Sequence, residues 1–118
     1  QRDYIFHTWK EDLAELAKCP SVYSKISGLF MPVLGHRFHL DRKLAKKDEL
    51  IQLATPLIQH ALQCFCKDRI MFASNFPMDR VSTDLVTIID AFSDIVQNYD
   101  EHAVKPVFYE NAKRFYRL

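Results

Sequence analysis

R-I-M-F-A-S-N-F-P-M-D, at residues 69–79, is the stretch that decides how the rest of the chain is interpreted. Its apolar run, Ile70–Ala73, predicts a buried strand that ends in two small polar residues, Ser74 and Asn75. Pro77 ends any strand ladder, because proline has no N–H to donate. Many α/β proteins place their chemistry where buried strands end in polar side chains, at the carboxyl edge of the sheet. An ordinary core strand followed by a turn is the alternative interpretation.

Helical patterns surround this strand, and another short strand precedes it. T-W-K-E at residues 8–11 predicts a capping box that begins the first helix, and Cys19-Pro20 predicts its end. V-Y-S-K-I, at residues 22–26, is a β-branched and aromatic run that predicts a strand. Three further helices are predicted. One runs from Asp48 to Phe65, with a kink or break at Pro56, and one runs from Ser82 to Tyr99. The last runs from Val107 to Tyr116, and its predicted inward residues are Phe108, Ala112, Phe115 and Tyr116.

The predicted order is therefore helix, strand, long loop, helix, strand, helix, helix. Two strands alone do not make a buried parallel sheet, because such sheets are several strands wide and are covered on both faces. The sequence thus predicts part of a larger α/β fold. A start at Gln1, with neither an initiator Met nor a signal-peptide pattern, fits a fragment or a processed chain.

Composition narrows the class of partner. The chain has 118 residues, 48% hydrophobic and 26% charged, and a net charge of +1. This balance is typical of one globular domain and gives no electrostatic reason to expect nucleic acid or an anionic membrane. The two glycines, Gly28 and Gly35, are too few for a glycine-rich phosphate loop. No apolar run approaches the roughly 18 residues of a membrane span. We therefore expect neither nucleic acid nor a membrane as partner.

The three cysteines form no disulfide framework, so we expect a reducing compartment and a cytoplasmic protein. Cys64 and Cys66 are spaced C-x-C near a predicted helix end. Zinc sites usually combine two or more ligand pairs, and no second pair accompanies this one. Free thiols that are buried or half-buried are therefore expected, and a redox or metal-binding module is the alternative.

Candidate site residues lie at or beyond the ends of the two predicted strands. Strand alternation places Lys25 and Ser27 on one face and Ile26 on the other. Lys25 then either faces water at a sheet edge or lies inside a polar site. His36 and His39 form H-x-x-H in the long apolar loop, a spacing that fits a metal pair, hydrogen-bonded structure or a substrate contact. Two further candidates follow the second strand: Asp79, with a turn cap as its alternative role, and Arg80.

Three motifs resemble a known family. They are V-Y-S-K-I-S-G-L-F-M-P-V-L-G, D-R-I-M-F-A-S-N-F-P-M-D and N-A-K-R-F-Y-R-L. In this order and spacing they are similar to the C-terminal part of the amidohydrolase-related (amidohydrolase 2) family, which includes lactonases and some decarboxylases. The resemblance implies a (β/α)8 TIM barrel, with residues 1–118 as its C-terminal segment and the two strands as the seventh and eighth.

The same resemblance implies where a metal would be held. The family's His-x-His motif and its mid-barrel histidines are absent here and would lie upstream of Gln1. The cofactor is therefore left open: a divalent metal such as zinc is the candidate in the full barrel, and we assign no metal ligand in this chain. Asn75 stands where many members carry an aspartate. An amide has no basic form near neutral pH, so Asn75 cannot act as a general base.

The implied function is hydrolysis of a small-molecule substrate at the C-terminal mouth of the barrel. This substrate would be a small lactone, ester or amide, carboxylated or sugar-derived. Asn75 would orient substrate or water, and Lys25 would stabilise an oxyanion or bind a substrate carboxylate. The substrate-binding candidates are Ser27, His36, His39, Asp79 and Arg80. The alternatives are a decarboxylase of the same family, or a truncated, inactive fragment. Such a fragment would form a homo-oligomer or associate with the missing part of the barrel.

Overall fold

The computed structural model describes residues 2–27, 46–73 and 85–117. Its elements follow in chain order: α1 Arg2–Ala17, β1 Ser24–Ile26, α2 Lys47–Phe65, β2 Ile70–Phe72, α3 Leu85–Tyr99, a 3-10 turn at Glu101–Ala103, a π-helical turn at Pro106–Glu110, and α4 Asn111–Phe115. The described part is thus mixed α/β with two parallel strands and four α-helices. The predicted fold class is confirmed, and the assignment of β1 and β2 as seventh and eighth strands stays a prediction.

The two strands pair in parallel, in the register that places Lys25 beside Met71 and Ile26 beside Phe72. Backbone hydrogen bonds extend the pairing at both ends. The Ser24 amide donates to Arg69 O at 2.8 Å, and the Ala73 amide donates to Ile26 O at 3.1 Å. The carboxyl ends of both strands therefore meet at one edge, which is the arrangement that the resemblance to a TIM barrel implies.

The core lies between one face of this sheet and the helices α2 and α3. Ile26 and Ile70 belong to the same buried apolar cluster as the inner residues of both helices. The Phe72 ring lies 4.7 Å from the Phe92 ring, centroid to centroid, and 4.8 Å from the Phe108 ring. The cluster removes apolar side chains of β1, β2, α2 and α3 from water. This removal of apolar surface from water is the main favourable contribution to the free energy of folding. The wholly buried large side chains are Phe65, Leu50, Ile58, Ile70, Ile88, Val96, Val107 and Asn111.

The first helix begins earlier than predicted. It starts at Arg2, so Thr8 lies inside α1 and does not cap it. Side-chain pairs at helical spacing explain the extension. The Phe6 and Trp9 rings stack with their centroids 5.9 Å apart, and Lys10 Nζ lies 5.5 Å from the Phe6 ring centroid. His7 Nε2 lies 3.3 Å from Glu11 Oε1. Such (i, i+3) and (i, i+4) pairs stabilise a helix without an apolar period.

The second helix starts near its predicted position and passes through its proline. Lys46, not Asp48, is the N-cap, and Glu49 accepts from the Lys46 amide at 3.0 Å. This contact is the return half of a capping box. α2 runs unbroken through Pro56, so the predicted break is absent. The Thr55 hydroxyl donates to the Ile51 carbonyl in the turn before the proline, and Pro56 itself is exposed.

The last two helices bury fewer residues than their apolar patterns predicted. In α3, Ile88, Phe92, Ile95 and Val96 are buried, but Leu85, Ile89 and Tyr99 are exposed. At the chain end, Phe108 packs against the core as predicted. Phe115 and Tyr116 are exposed and Asn111 is wholly buried, so the predicted inward face is wrong for these residues. The π-helical turn explains this shift, because its wider i→i+5 bonding rotates the residues that follow it.

Candidate functional site

Two of the predicted site residues, Lys25 and Ser27, lie in the described part of the structure, in β1 and directly after it. Lys25 is exposed, Ile26 is buried and Ser27 is half-buried, which confirms the predicted alternation along β1. In parallel strands, partners in register project to the same side, so Lys25 shares its sheet face with Met71. We call this the Lys25 face; the opposite face is the one that packs on the helices. Met71 is buried but does not belong to the helix-covered cluster.

The other predicted site residues lie outside the described residues. They are Asn75, His36, His39, Asp79 and Arg80. Their roles, and those of Lys25 and Ser27, stay predictions.

Lys25 contacts an aromatic ring at the amino end of the sheet. Its Nζ lies 5.3 Å from the centroid of the Tyr116 ring, within the range of a cation–π contact. Tyr116 follows α4, and the end of α4 contacts residues that come just before the two strands. Arg114 donates to the carbonyl of Asp68, just before β2, and the Phe115 ring lies 4.9 Å from that of Tyr23, just before β1. The ammonium of Lys25 is therefore directed away from the carboxyl edge.

A dense hydrogen-bond network occupies this amino edge. Asn111 donates through Nδ2 to Lys67 O at 2.6 Å and to Ile70 O at 2.8 Å, and its Oδ1 accepts from Arg114 at 3.0 Å. Arg114 also donates to Asp68 O at 2.8 Å and to the Tyr23 hydroxyl at 3.3 Å. The Tyr23 hydrogen bond is the main cause that raises the pKa of Arg114.

Arg69 extends the network to the first helix. It donates to Ala17 O at 2.9 Å, Cys19 O at 2.9 Å and Val22 O at 3.1 Å, while its guanidinium lies 5.1 Å from the centroid of the Phe65 ring. These are bonds to backbone carbonyls at a helix end and a turn, where cations are favoured. In TIM barrels the amino face of the strands contributes stability and the carboxyl face contributes chemistry. The N-A-K-R-F motif and Arg69 thus have structural roles, which the sequence analysis did not assign.

A histidine and a cysteine also meet between α1 and α2. His60 Nε2 lies 2.9 Å from Lys10 O and 3.4 Å from Cys64 Sγ. The carbonyl can only accept, so Nε2 carries the proton and cannot take one from the thiol. Burial raises the pKa of Cys64 above its usual 9.0, and the charge of Lys10 opposes this only in part. The thiol therefore stays protonated near neutral pH, which is unfavourable for a nucleophile.

The thiols match the prediction only in part. Cys64 is half-buried, as expected, but Cys66 is exposed because it lies past the end of α2, where its φ of 62° turns the chain. Within residues 2–27, 46–73 and 85–117, no group of three His, Cys, Asp or Glu side chains could hold a metal ion. These residues thus do not fit a metal site by themselves. None of the helices in the described ranges is long and apolar enough to cross a membrane.

Comparison with known proteins identifies the family. The sequence profile of the family described as amidohydrolase matches residues 1–118, the whole chain. The chain belongs to the amidohydrolase family. The uncharacterized protein y4mH of Sinorhizobium fredii is 31% identical over 113 residues, which are 96% of this chain and 34% of that protein. The amidohydrolase chain therefore spans about a third of the length of this curated relative. The resemblance seen in the three motifs is confirmed at the family level.

Solved structures give the same fold. Two crystal structures of an amidohydrolase from Burkholderia multivorans, one with bound zinc and one with bound HEPES, superimpose with TM-scores of 0.76 and 0.81. Both are 22% identical in sequence, and the match covers 93% and 98% of this chain but 37% and 38% of theirs. Together they confirm that the chain has the architecture of part of an amidohydrolase TIM barrel.

Proposed function

We propose that this amidohydrolase chain contributes to the hydrolysis of a small lactone, ester or amide, carboxylated or sugar-derived. The observation that carries the proposal is the family match over the whole chain. The parallel pairing of β1 and β2 supports it, because it brings the ends of two motif-bearing strands to one edge. That edge is where TIM-barrel enzymes carry their active sites.

The proposed roles follow from side-chain chemistry. Asn75 would orient the substrate carbonyl or a water through its amide, which donates and accepts but does not take up a proton. Lys25 would stabilise the developing oxyanion or bind a substrate carboxylate, for which its ammonium would leave the Tyr116 ring. Ser27 lies at the carboxyl end of β1, at the edge where the substrate would bind. His36, His39, Asp79 and Arg80 are the remaining proposed binding residues.

The test is an assay that detects the carboxylic acid product by chromatography, on the natively expressed protein with a panel of lactones, esters and amides. We expect Asn75→Ala to lower kcat/KM by about 10²-fold or more, the scale for removing a transition-state hydrogen-bond donor. Asn98→Ala is the matched control, because Asn98 is exposed on α3. A native protein that hydrolyses no member of the panel, or an Asn75→Ala variant that matches Asn98→Ala, would contradict the proposal. Release of CO₂ in place of acid would favour the decarboxylase.

The second candidate is a non-catalytic chain that associates with another copy or with the rest of a barrel. Its support is the described sheet, which has two strands and leaves both outer edges without a partner strand among the described residues. Tyr4 and Val86, on α1 and α3, are also 73% and 67% exposed. Open strand edges favour pairing with further strands. Native mass spectrometry separates the candidates: a covalent mass of 13.9 kDa with self-association favours this one, and a covalent mass two to three times larger favours the enzyme.

A further inference from the structure

We propose that Tyr116 is a positioning residue, which holds the ammonium of Lys25 at the amino end of the Lys25 face. The inference concerns a contact that the described residues form by themselves, so it does not depend on the proposed hydrolysis. It assigns a role to the end of the N-A-K-R-F-Y-R-L motif that the family comparison does not give.

Lys25 makes this contact through its ammonium group. Its Nζ lies 5.3 Å from the Tyr116 ring centroid, and no ion pair to Lys25 occurs in the described part of the chain. The face of an aromatic ring attracts a cation through its quadrupole. Tyr116 therefore offers Lys25 a preferred direction on a sheet face that carries no acidic partner for it among the described residues.

The ring is placed by contacts that do not involve Lys25. The Tyr116 amide donates to Ala112 O at 2.9 Å, and the Phe115 and Tyr116 rings meet edge to face at 5.0 Å. Phe115 in turn packs on Tyr23, whose hydroxyl accepts from Arg114. Because four neighbouring contacts fix the end of α4, Tyr116 is the fixed partner and the flexible lysine is the group that it directs.

This arrangement has a consequence for the sheet face. An ammonium held at the amino end does not place the Lys25 charge beside Ser27, at the carboxyl end. Lys25 reaches a ligand at that end only when it gives up the Tyr116 ring. Tyr116 thus sets where the positive charge of the Lys25 face lies in the absence of a ligand.

The first test is NMR of the protein with labelled lysine. The ring current of Tyr116 should displace the Lys25 Hε resonances upfield, and Tyr116→Phe should keep the displacement because it keeps the ring. Tyr116→Leu should remove it. Tyr109→Leu is the matched control, because Tyr109 makes a similar contact with Lys113 at 5.6 Å. It should leave Lys25 unchanged. Lys25 resonances that are equal in the wild-type and Tyr116→Leu proteins would overturn the proposal.

A second variant keeps the proposal testable if Tyr116→Leu disturbs the fold. Lys25→Met retains an unbranched side chain and removes the charge. We expect the Tyr116 amide to exchange with solvent roughly two- to five-fold faster in this variant, the factor that an exposed cation–π contact supplies. Lys113→Met should leave that rate unchanged. A Tyr116 exchange rate that is the same in Lys25→Met and wild type would overturn the proposal, whatever the outcome of the hydrolysis assay.

Discussion

Replacing Asn111 by alanine tests whether the amino-edge network holds the sheet to the last helix. Asn111 is wholly buried and joins α4 to two carbonyls around the start of β2, those of Lys67 and Ile70. An alanine keeps the helix but leaves both carbonyls without this donor. Because Asn111 Nδ2 donates to the buried Ile70 carbonyl, the variant leaves a buried backbone acceptor without this bond.

The size of the effect follows from the two hydrogen bonds. The bond to the partly exposed Lys67 carbonyl should contribute about 1 kcal/mol, the usual net value. The Ile70 carbonyl is buried, and leaving such an acceptor unpaired costs about 1–3 kcal/mol. We therefore expect Asn111→Ala to lower the free energy of unfolding by about 2–4 kcal/mol. Asn111→Asp should lose at least as much, because an ionised carboxylate cannot donate and would face two carbonyl oxygens.

Urea unfolding, followed by the fluorescence of the single Trp9 and by far-UV circular dichroism, measures this loss. For slopes of about 1–3 kcal/mol per M urea, a loss of 3 kcal/mol moves the midpoint down by about 1–3 M. Asn98→Ala, on the exposed side of α3, should stay within about 0.5 kcal/mol of wild type. The reasoning is refuted if Asn111→Ala is as stable as Asn98→Ala, or if Asn111→Asp is as stable as wild type.

Two further predictions concern charged and reactive groups. The Lys47–Asp94 pair, 2.7 Å apart, joins α2 to α3, and its hydrogen bond is the main cause that raises the pKa of Lys47 above 10.5. Its stabilisation should therefore be complete between neutral pH and pH 10.5 and be lost as the pH rises further. A double-mutant cycle with Lys47→Met and Asp94→Asn should show a coupling that 1 M salt weakens. Cys64 should react with iodoacetamide more slowly than the exposed Cys19 and Cys66 at pH 8, because burial raises its pKa. Mass spectrometry of the labelled peptides measures the three rates, and equal rates would contradict this prediction.

Much of the fold was predictable because it depends on local chemistry. The apolar run Ile70–Ala73 and the short β-branched run before Gly28 each specified a strand. The resemblance to a TIM barrel implied that the two strands lie in one parallel sheet. The long apolar stripe of α2 specified a helix that the proline at position 56 did not interrupt. The family, too, was recognisable from three short motifs, since these combine residue type with fixed spacing.

Other features depended on residues distant in sequence. Asn111 looked like an ordinary helix residue, and its burial depends on carbonyls that lie 44 and 41 residues earlier. The start of α1 at Arg2 followed from side-chain pairs with no apolar period to reveal them.

The candidate site shows the same division. Alternation alone assigned Lys25 and Ser27 to one strand face, because a strand has a period of two. The direction of the Lys25 ammonium was not predictable, because it depends on a ring 91 positions later in the chain that the end of α4 carries to the sheet. The sequence by itself thus determined which segments form helices and strands, where the strands end and which family the chain resembles. Only the tertiary structure decided which polar side chains hold the sheet together and where the lysine charge lies, because those depend on contacts between distant segments.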